Sequence, residues 1–179
     1  MKKYWVTVAM LMAAAAGLST AMAAQAVPPP GTNGSGQFLF AGTADVMFDF
    51  NAVQAGNGNA AGGFFQSFVF GGLLIEFRGR VTCVSTDPDT GRAWIGGIVI
   101  ENNSTHPQFT TDRTQVGRDI WFRVVDYGEG AGAPADRSTI MGFSGDRDII
   151  TSAEYCATQP WVDGDVATHP VIEGNIQVR

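Results

Sequence analysis

The sequence predicts an all-β fold: one antiparallel β-barrel or β-sandwich domain of about eight strands. Three observations carry this. Apolar residues recur at every second position in several short segments, the period of a half-buried strand. Those segments are separated by turn chemistry rich in glycine, aspartate and asparagine, with 23 glycines in the chain. Almost nothing repeats at the 3.6-residue helical period. A barrel is preferred to a sandwich because closure removes exposed strand edges, a hazard for a chain with 12 phenylalanines.

The elements follow in order. Residues 1–23 begin Met1-Lys2-Lys3, continue as an apolar run over 6–18, and end in small residues up to Ala23. This pattern predicts a secretory signal peptide, removed after Ala23 or at the second A-x-A site ending at Ala26. The apolar run is short for a bilayer core of about 30 Å. No other stretch suggests a transmembrane segment once the signal is cleaved. Residues 24–36, with Pro28-Pro29-Pro30 and a Gly/Ser/Asn tail, read as a flexible linker. The domain is then 37–179.

Within it, Val46, Phe48 and Phe50 alternate with Asp45, Met47 and Asp49. The turn residues 56–59 follow, then an aromatic strand over 64–70 and a tight reversal at Gly71-Gly72. In the longest strand, Leu73, Ile75, Phe77, Val81 and Cys83 share one parity, and Glu76, Arg78, Arg80 and Thr82 the other. Gly79 interrupts the apolar set and marks a bulge or bend. Asp87-Pro88-Asp89-Thr90-Gly91 turns the chain into a return strand over 93–100. Residues 102–117 read as a long loop. Ile120, Phe122 and Val124 alternate with Trp121 and Arg123. A further strand is expected over 138–143, and a closing strand at Ile176-Gln177-Val178. Thr151 and Glu154 fit a capping box for one short helical turn around Tyr155-Cys156.

Charge and composition exclude several functions. The net charge is −6, and it grows more negative if Lys2 and Lys3, the only lysines, leave with the signal. An acidic surface disfavours phosphate backbones, so no nucleic-acid partner is expected. A mature chain without lysine has no Schiff-base nitrogen and no P-loop lysine. No cofactor is implied. Cys83 and Cys156 are expected to pair as a disulfide in an exported protein, stabilising by roughly 4 kcal/mol through loop closure. Two free buried thiols are the alternative. A metal site is disfavoured because neither cysteine belongs to a C-x-x-C pair.

Several segments together resemble a family of secreted bacterial all-β proteins without an established activity. They are Phe50-Asn51-Ala52, Gly63-Phe64, Gly79-Arg80-Val81-Thr82-Cys83, Ala93-Trp94-Ile95-Gly96-Gly97, the run over 122–130 with 134–138 after it, Cys156, and Gly174-Asn175-Ile176-Gln177-Val178. Tyr127, where such proteins carry asparagine, and the Asp87–Gly91 turn, where they carry Gly-Asn, depart from the pattern. The resemblance implies export and a compact β domain, and it supplies no catalytic residues.

The candidate site residues therefore come from chemistry alone. Asp126 and Glu129, near Asp136 and Arg137 in a glycine-rich loop, could hold Ca²⁺ or serve as acid and base. The plainer alternative is a turn held by hydrogen bonds. Asp87/Asp89, Asp146/Asp148 and Asp163/Asp165 are D-x-D pairs beside glycine or proline, where aspartate already suits turns. His106 and His169 each precede proline and do not make up a zinc set. Arg78, Arg80 and Arg123 would line an anion pocket if their parity faces a barrel lumen. Otherwise they face solvent or pair with Glu76 and its neighbours. Trp94, Trp121 and Trp161 could stack on a ring or pack as core. No Gly-x-Ser-x-Gly elbow is present. The expected function is a non-enzymatic module binding a small molecule or a surface partner. The alternatives are a small enzyme using loop carboxylates and a structural component of the envelope or matrix. The enzyme reading requires Asp126, Glu129 and one of the three arginines to meet in one cavity.

Overall fold

A computed structural model describes residues 29–55 and 59–179. The signal peptide expected over 1–23, the start of the linker and most of the 56–59 turn lie outside the described residues. The strands are β1 (Gly31–Phe40), β2 (Ala44–Gln54), β3 (Ala60–Phe70), β4 (Leu73–Asp87), β5 (Arg92–Asn102), β6 (Asp119–Val125), β7 (Arg137–Thr139), β8 (Gly142–Phe143) and β9 (Thr168–Val178). One short helix, α1 (Ser152–Thr158), lies between β8 and β9. All pairings are antiparallel. They run β1-β2-β3-β4-β5-β6-β7-β9 and back to β1, closing an eight-stranded barrel, while β8 adds to β6 outside the ring.

The period-two pattern sets the inside of the ring. Val46, Phe48 and Phe50 are buried, and Asp45, Met47 and Asp49 between them are exposed. On β4, Ile75, Phe77, Gly79 and Val81 point inward, and Arg78, Arg80 and Thr82 outward. Phe122 sits between Phe50 and Phe64, with ring centroids 5.2 and 5.3 Å away in edge-to-face geometry. The interior is thus packed with phenylalanine, while the outer face carries Asp45, Asp49, Arg78, Arg80 and Glu101. A lipid-facing barrel has the reverse pattern, with an apolar outer band. Among the described residues, no helix is long and apolar enough to cross a membrane.

Two expectations need correction. The linker read over 24–36 ends earlier, because 31–36 belong to β1. That stretch has no apolar period, yet its backbone is paired on both sides, to β2 and to β9. Its glycines serve the barrel: a Cβ at Gly34 would come within 2.9 Å of both the Phe50 ring and Ile176. The strand expected over 138–143 is two short pieces, β7 and β8, broken at Ile140-Met141.

Turn chemistry behaves as the residues dictate. Gly71 and Gly72 adopt φ of 59° and 79°, the left-handed pair a two-residue hairpin demands. Asp87 accepts from the Thr90 hydroxyl at 2.6 Å, and this bond pulls its carboxyl below the usual range. Thr151 caps α1 by accepting from Glu154 N at 3.1 Å, and the Glu154 carboxylate reaches back to Ile150 N at 3.0 Å. The β4–β5 register shifts at Gly79, the expected bulge. A Cβ there would overlap the Phe64 ring. Gly79→Ala should therefore cost about 1–3 kcal/mol by overpacking. A melting temperature equal to that of the parent protein would refute this close approach.

A second core lies outside the ring. On β6 the outward parity is buried too, and Trp94, Trp121, Ile149 and Tyr155 cluster there with Trp161 against them. Residues 145–167 form the cover over this face. The Cys83–Cys156 disulfide fastens α1 to β4, with Cα atoms 6.2 Å apart. Asp119 accepts from both Ser152 N and Ser152 Oγ, at 2.8 and 2.7 Å. Trp94 Nε1 donates to Pro160 O at 2.8 Å.

Candidate functional site

The residues first singled out do not come together. Arg78 and Arg80 lie exposed on the outer face of β4, because the lumen is filled by the apolar parity. This overturns the lumenal anion pocket. Arg78 lies over the Phe65 ring at 4.6 Å and 3.4 Å from Glu101, a pair half exposed on both sides and worth little. Arg123 is fully buried beneath the cover. Its Nη2 donates to Val166 O at 2.8 Å and its Nη1 to Trp161 O. Burial lowers its pKa from the ordinary guanidinium value, but such a group stays charged at neutral pH.

Asp126 and Glu129 act as loop fasteners. Asp126 accepts from Gly128 N at 2.7 Å with one oxygen and from Val178 N at 2.9 Å with the other. Glu129 accepts from the Asn175 amide at 2.7 Å. Neighbouring Asp136 accepts from Tyr127 N and Ile176 N, while burial raises its pKa from the ordinary value. The convergence that the enzyme reading required is therefore not met. Among the described residues, no three His, Cys, Asp or Glu side chains gather as metal ligands. Asp146 is occupied by Arg113 and by Phe143 N, and Asp165 by the Tyr127 hydroxyl and Arg137.

The best-formed concavity lies elsewhere, on the covered side of the barrel. It is a cleft of about 370 Å³ between the β7–β8 link, the 145–147 turn and the cover. Such a volume falls in the range of roughly 300–1,000 Å³ typical of small-molecule sites. Its rings come from separate elements: Phe40 ends β1, Trp121 stands on β6, Tyr155 on α1, Trp161 on the cover and His169 on β9. Trp121 and Tyr155 stack with centroids 5.6 Å apart. Arg147 stands over the Trp161 ring at 5.0 Å. From inside the barrel, Gln66 fixes one wall: its amide donates to Thr139 O at 2.9 Å and its carbonyl accepts from Met141 N at 3.1 Å. A larger groove of about 480 Å³ along β2 and β3 lies on strand faces, with Asp45 as its one charged group.

Backbone strain concentrates around this cleft. Of the six described non-glycine residues at positive φ, five are Arg147, Asp148, Gln159, Trp161 and Ala167. Each costs of order 1–3 kcal/mol and persists only where surrounding contacts impose it. Of the three tryptophans that could stack on a ring or pack as core, Trp121 and Trp161 line the cleft, whereas Trp94 is sealed beneath Pro160. Tyr155, Arg147 and His169 were not singled out for this role. Left-handed backbone at an arginine or a tryptophan leaves no mark in a sequence.

His169 stacks on Phe38 at 5.5 Å and meets Phe40 edge-on at 5.6 Å. Burial there, helped by the Arg137 charge, lowers its pKa from the ordinary 6.5. The folded protein then binds fewer protons at this ring than the unfolded chain, so this contribution to stability is lost as pH falls below 6.5 toward the folded value. The His169 Cε1 proton should titrate with a midpoint below 6.5 by NMR. His169→Phe should flatten that part of the pH–stability curve, and a midpoint at or above 6.5 would sink the assignment.

Comparison of the chain with family models, with curated proteins and with solved structures finds no match.

Proposed function

We propose that this chain is an exported, non-enzymatic binding barrel whose ligand seat is the cleft beneath the 145–167 cover. The observation that carries the proposal is the meeting of five rings and one guanidinium, from β1, β6, the 145–167 cover and β9, around about 370 Å³. Convergence of aromatic walls with a few polar groups is the usual form of a small-molecule site. Asp126 and Asp136 are consumed by backbone N–H groups and Glu129 by the Asn175 side-chain amide, which favours binding over acid–base chemistry. The disulfide and the leader-like first 23 residues support export. Kinship with the secreted bacterial β proteins it resembles belongs to the same reading.

Three tryptophans provide the test. In a fragment screen by NMR, bound compounds should move the indole N–H signals of Trp121 and Trp161. The signal of Trp94 should stay in place, since its N–H is held by Pro160 O. A screen in which no compound moves Trp121 and Trp161 beyond Trp94 overturns the proposal.

A further inference from the structure

Two hydrogen-bond donors on residues lining the cleft have no acceptor within the described protein. Trp121 is 3% exposed and Tyr155 1%, and both line the cleft. Neither the Trp121 indole N–H nor the Tyr155 hydroxyl finds a hydrogen-bond partner among the described residues. The fully enclosed polar atoms left without partners are Thr32 Oγ1, Arg92 Nε and Arg123 Nε. The two donors of these lining residues are not among them, so each keeps some access to solvent. Trp121 Nε1 sits against Gly142, another lining residue, where a Cβ would approach it to 2.5 Å. Burial raises the Tyr155 pKa, which keeps that hydroxyl a donor.

Arg147 adds a charge. The described ion pairs use Arg78, Arg113 and Arg137, and leave Arg147 on the Trp161 ring without a carboxylate. The one carboxylate in the lining, Asp146, is already taken by Arg113 and Phe143 N. A ligand that completes this set brings acceptor oxygens and a negative charge on a flat apolar body. The protein supplies no acceptor for either donor, so both are free to meet an acceptor from outside.

We propose that the cleft takes a planar organic carboxylate, its oxygens accepting from Arg147, Trp121 Nε1 and the Tyr155 hydroxyl, and its ring lying among the aromatic walls. This rests on the cleft being the ligand seat. The ring supplies area against Phe40, Trp161 and His169. The carboxylate supplies what a neutral ring lacks, a charge-assisted bond to guanidinium.

The test is calorimetric titration of the full chain with benzoate, phenylacetate and indole-3-acetate, each beside its primary amide. At least one acid should bind more than tenfold tighter than its amide, the worth of a charge-assisted bond at about 1.5–3 kcal/mol. Arg147→Asn, chosen because asparagine tolerates the left-handed backbone there, should erase the preference for the acid over its amide. Tyr155→Phe keeps the stack on Trp121 and should weaken the acid severalfold; circular dichroism confirms that both variants are folded. Acids and amides that bind equally overturn the carboxylate while the cleft reading survives. Acids and amides that both fail, with no movement of the Trp121 and Trp161 indole signals, overturn both.

Discussion

Replacing Cys83 and Cys156 together by alanine is expected to lower stability by about 2–5 kcal/mol, the range seen when a native disulfide is removed. The bond closes a loop between residues 73 apart in sequence. Its loop-closure contribution comes to roughly 4 kcal/mol on the chain-entropy account. The local consequence is sharper. Helix α1 has seven residues, too few to hold its form without packing. It is fastened to the barrel by this bond, by Asp119 on Ser152 and by the Trp121–Tyr155 stack. Without the covalent tie, Tyr155 and Trp121 should become accessible before the barrel opens. Urea unfolding followed by tryptophan fluorescence should show an early phase that far-UV circular dichroism of the strands does not share. Reduction of the parent protein should reproduce it. A double variant with an unchanged urea midpoint would contradict this account of the cover.

The barrel could be read from the sequence where one face of a strand is buried. Val46, Phe48 and Phe50 alternate with acids because one parity fills the lumen and the other meets water. Gly71-Gly72, the Asp87 turn and the Thr151 cap could be read because each rests on contacts within a few residues. Strand β1 was hidden because backbone pairing, which no side chain announces, makes Gly31–Phe40 a strand. The cleft was hidden for a related reason. Strand β6 alternates like any half-exposed strand, so Arg123 looked like a residue facing solvent or a lumen. It is buried because the 145–167 segment folds back upon it, bringing Trp161 and Val166 from 38 and 43 residues further along the chain. Nothing local to Phe122-Arg123-Val124 encodes that cover. The loop carboxylates looked like chemistry for the converse reason. Their N–H partners on β9 lie far along the chain.

Arg123→Met is the second change with a large expected effect, and it tests whether one buried guanidinium holds the cover in shape. Methionine keeps much of the apolar stem and removes the fork. The carbonyls of Trp161 and Val166 then lose their donor at two points of the same segment. Each charge-assisted bond is worth about 1.5–3 kcal/mol. Methionine also removes the cost of burying a charge, which can offset part of that loss. A net destabilisation of about 2–4 kcal/mol is expected from these opposing effects. The loss should be uneven. Trp161 and Ala167 hold left-handed backbone that contacts must impose, and Arg123 supplies one of those contacts at Trp161 itself. Amide exchange over 159–167 should accelerate far more than exchange in β2 or β4. Arg123→Lys should fall between the two, since an ammonium lacks the flat fork that serves both carbonyls. If exchange over 159–167 stays as slow in Arg123→Met as in the parent chain, the cover is held by Trp94, Tyr127 and the disulfide instead. The buried guanidinium would then contribute nothing to the shape of the cover.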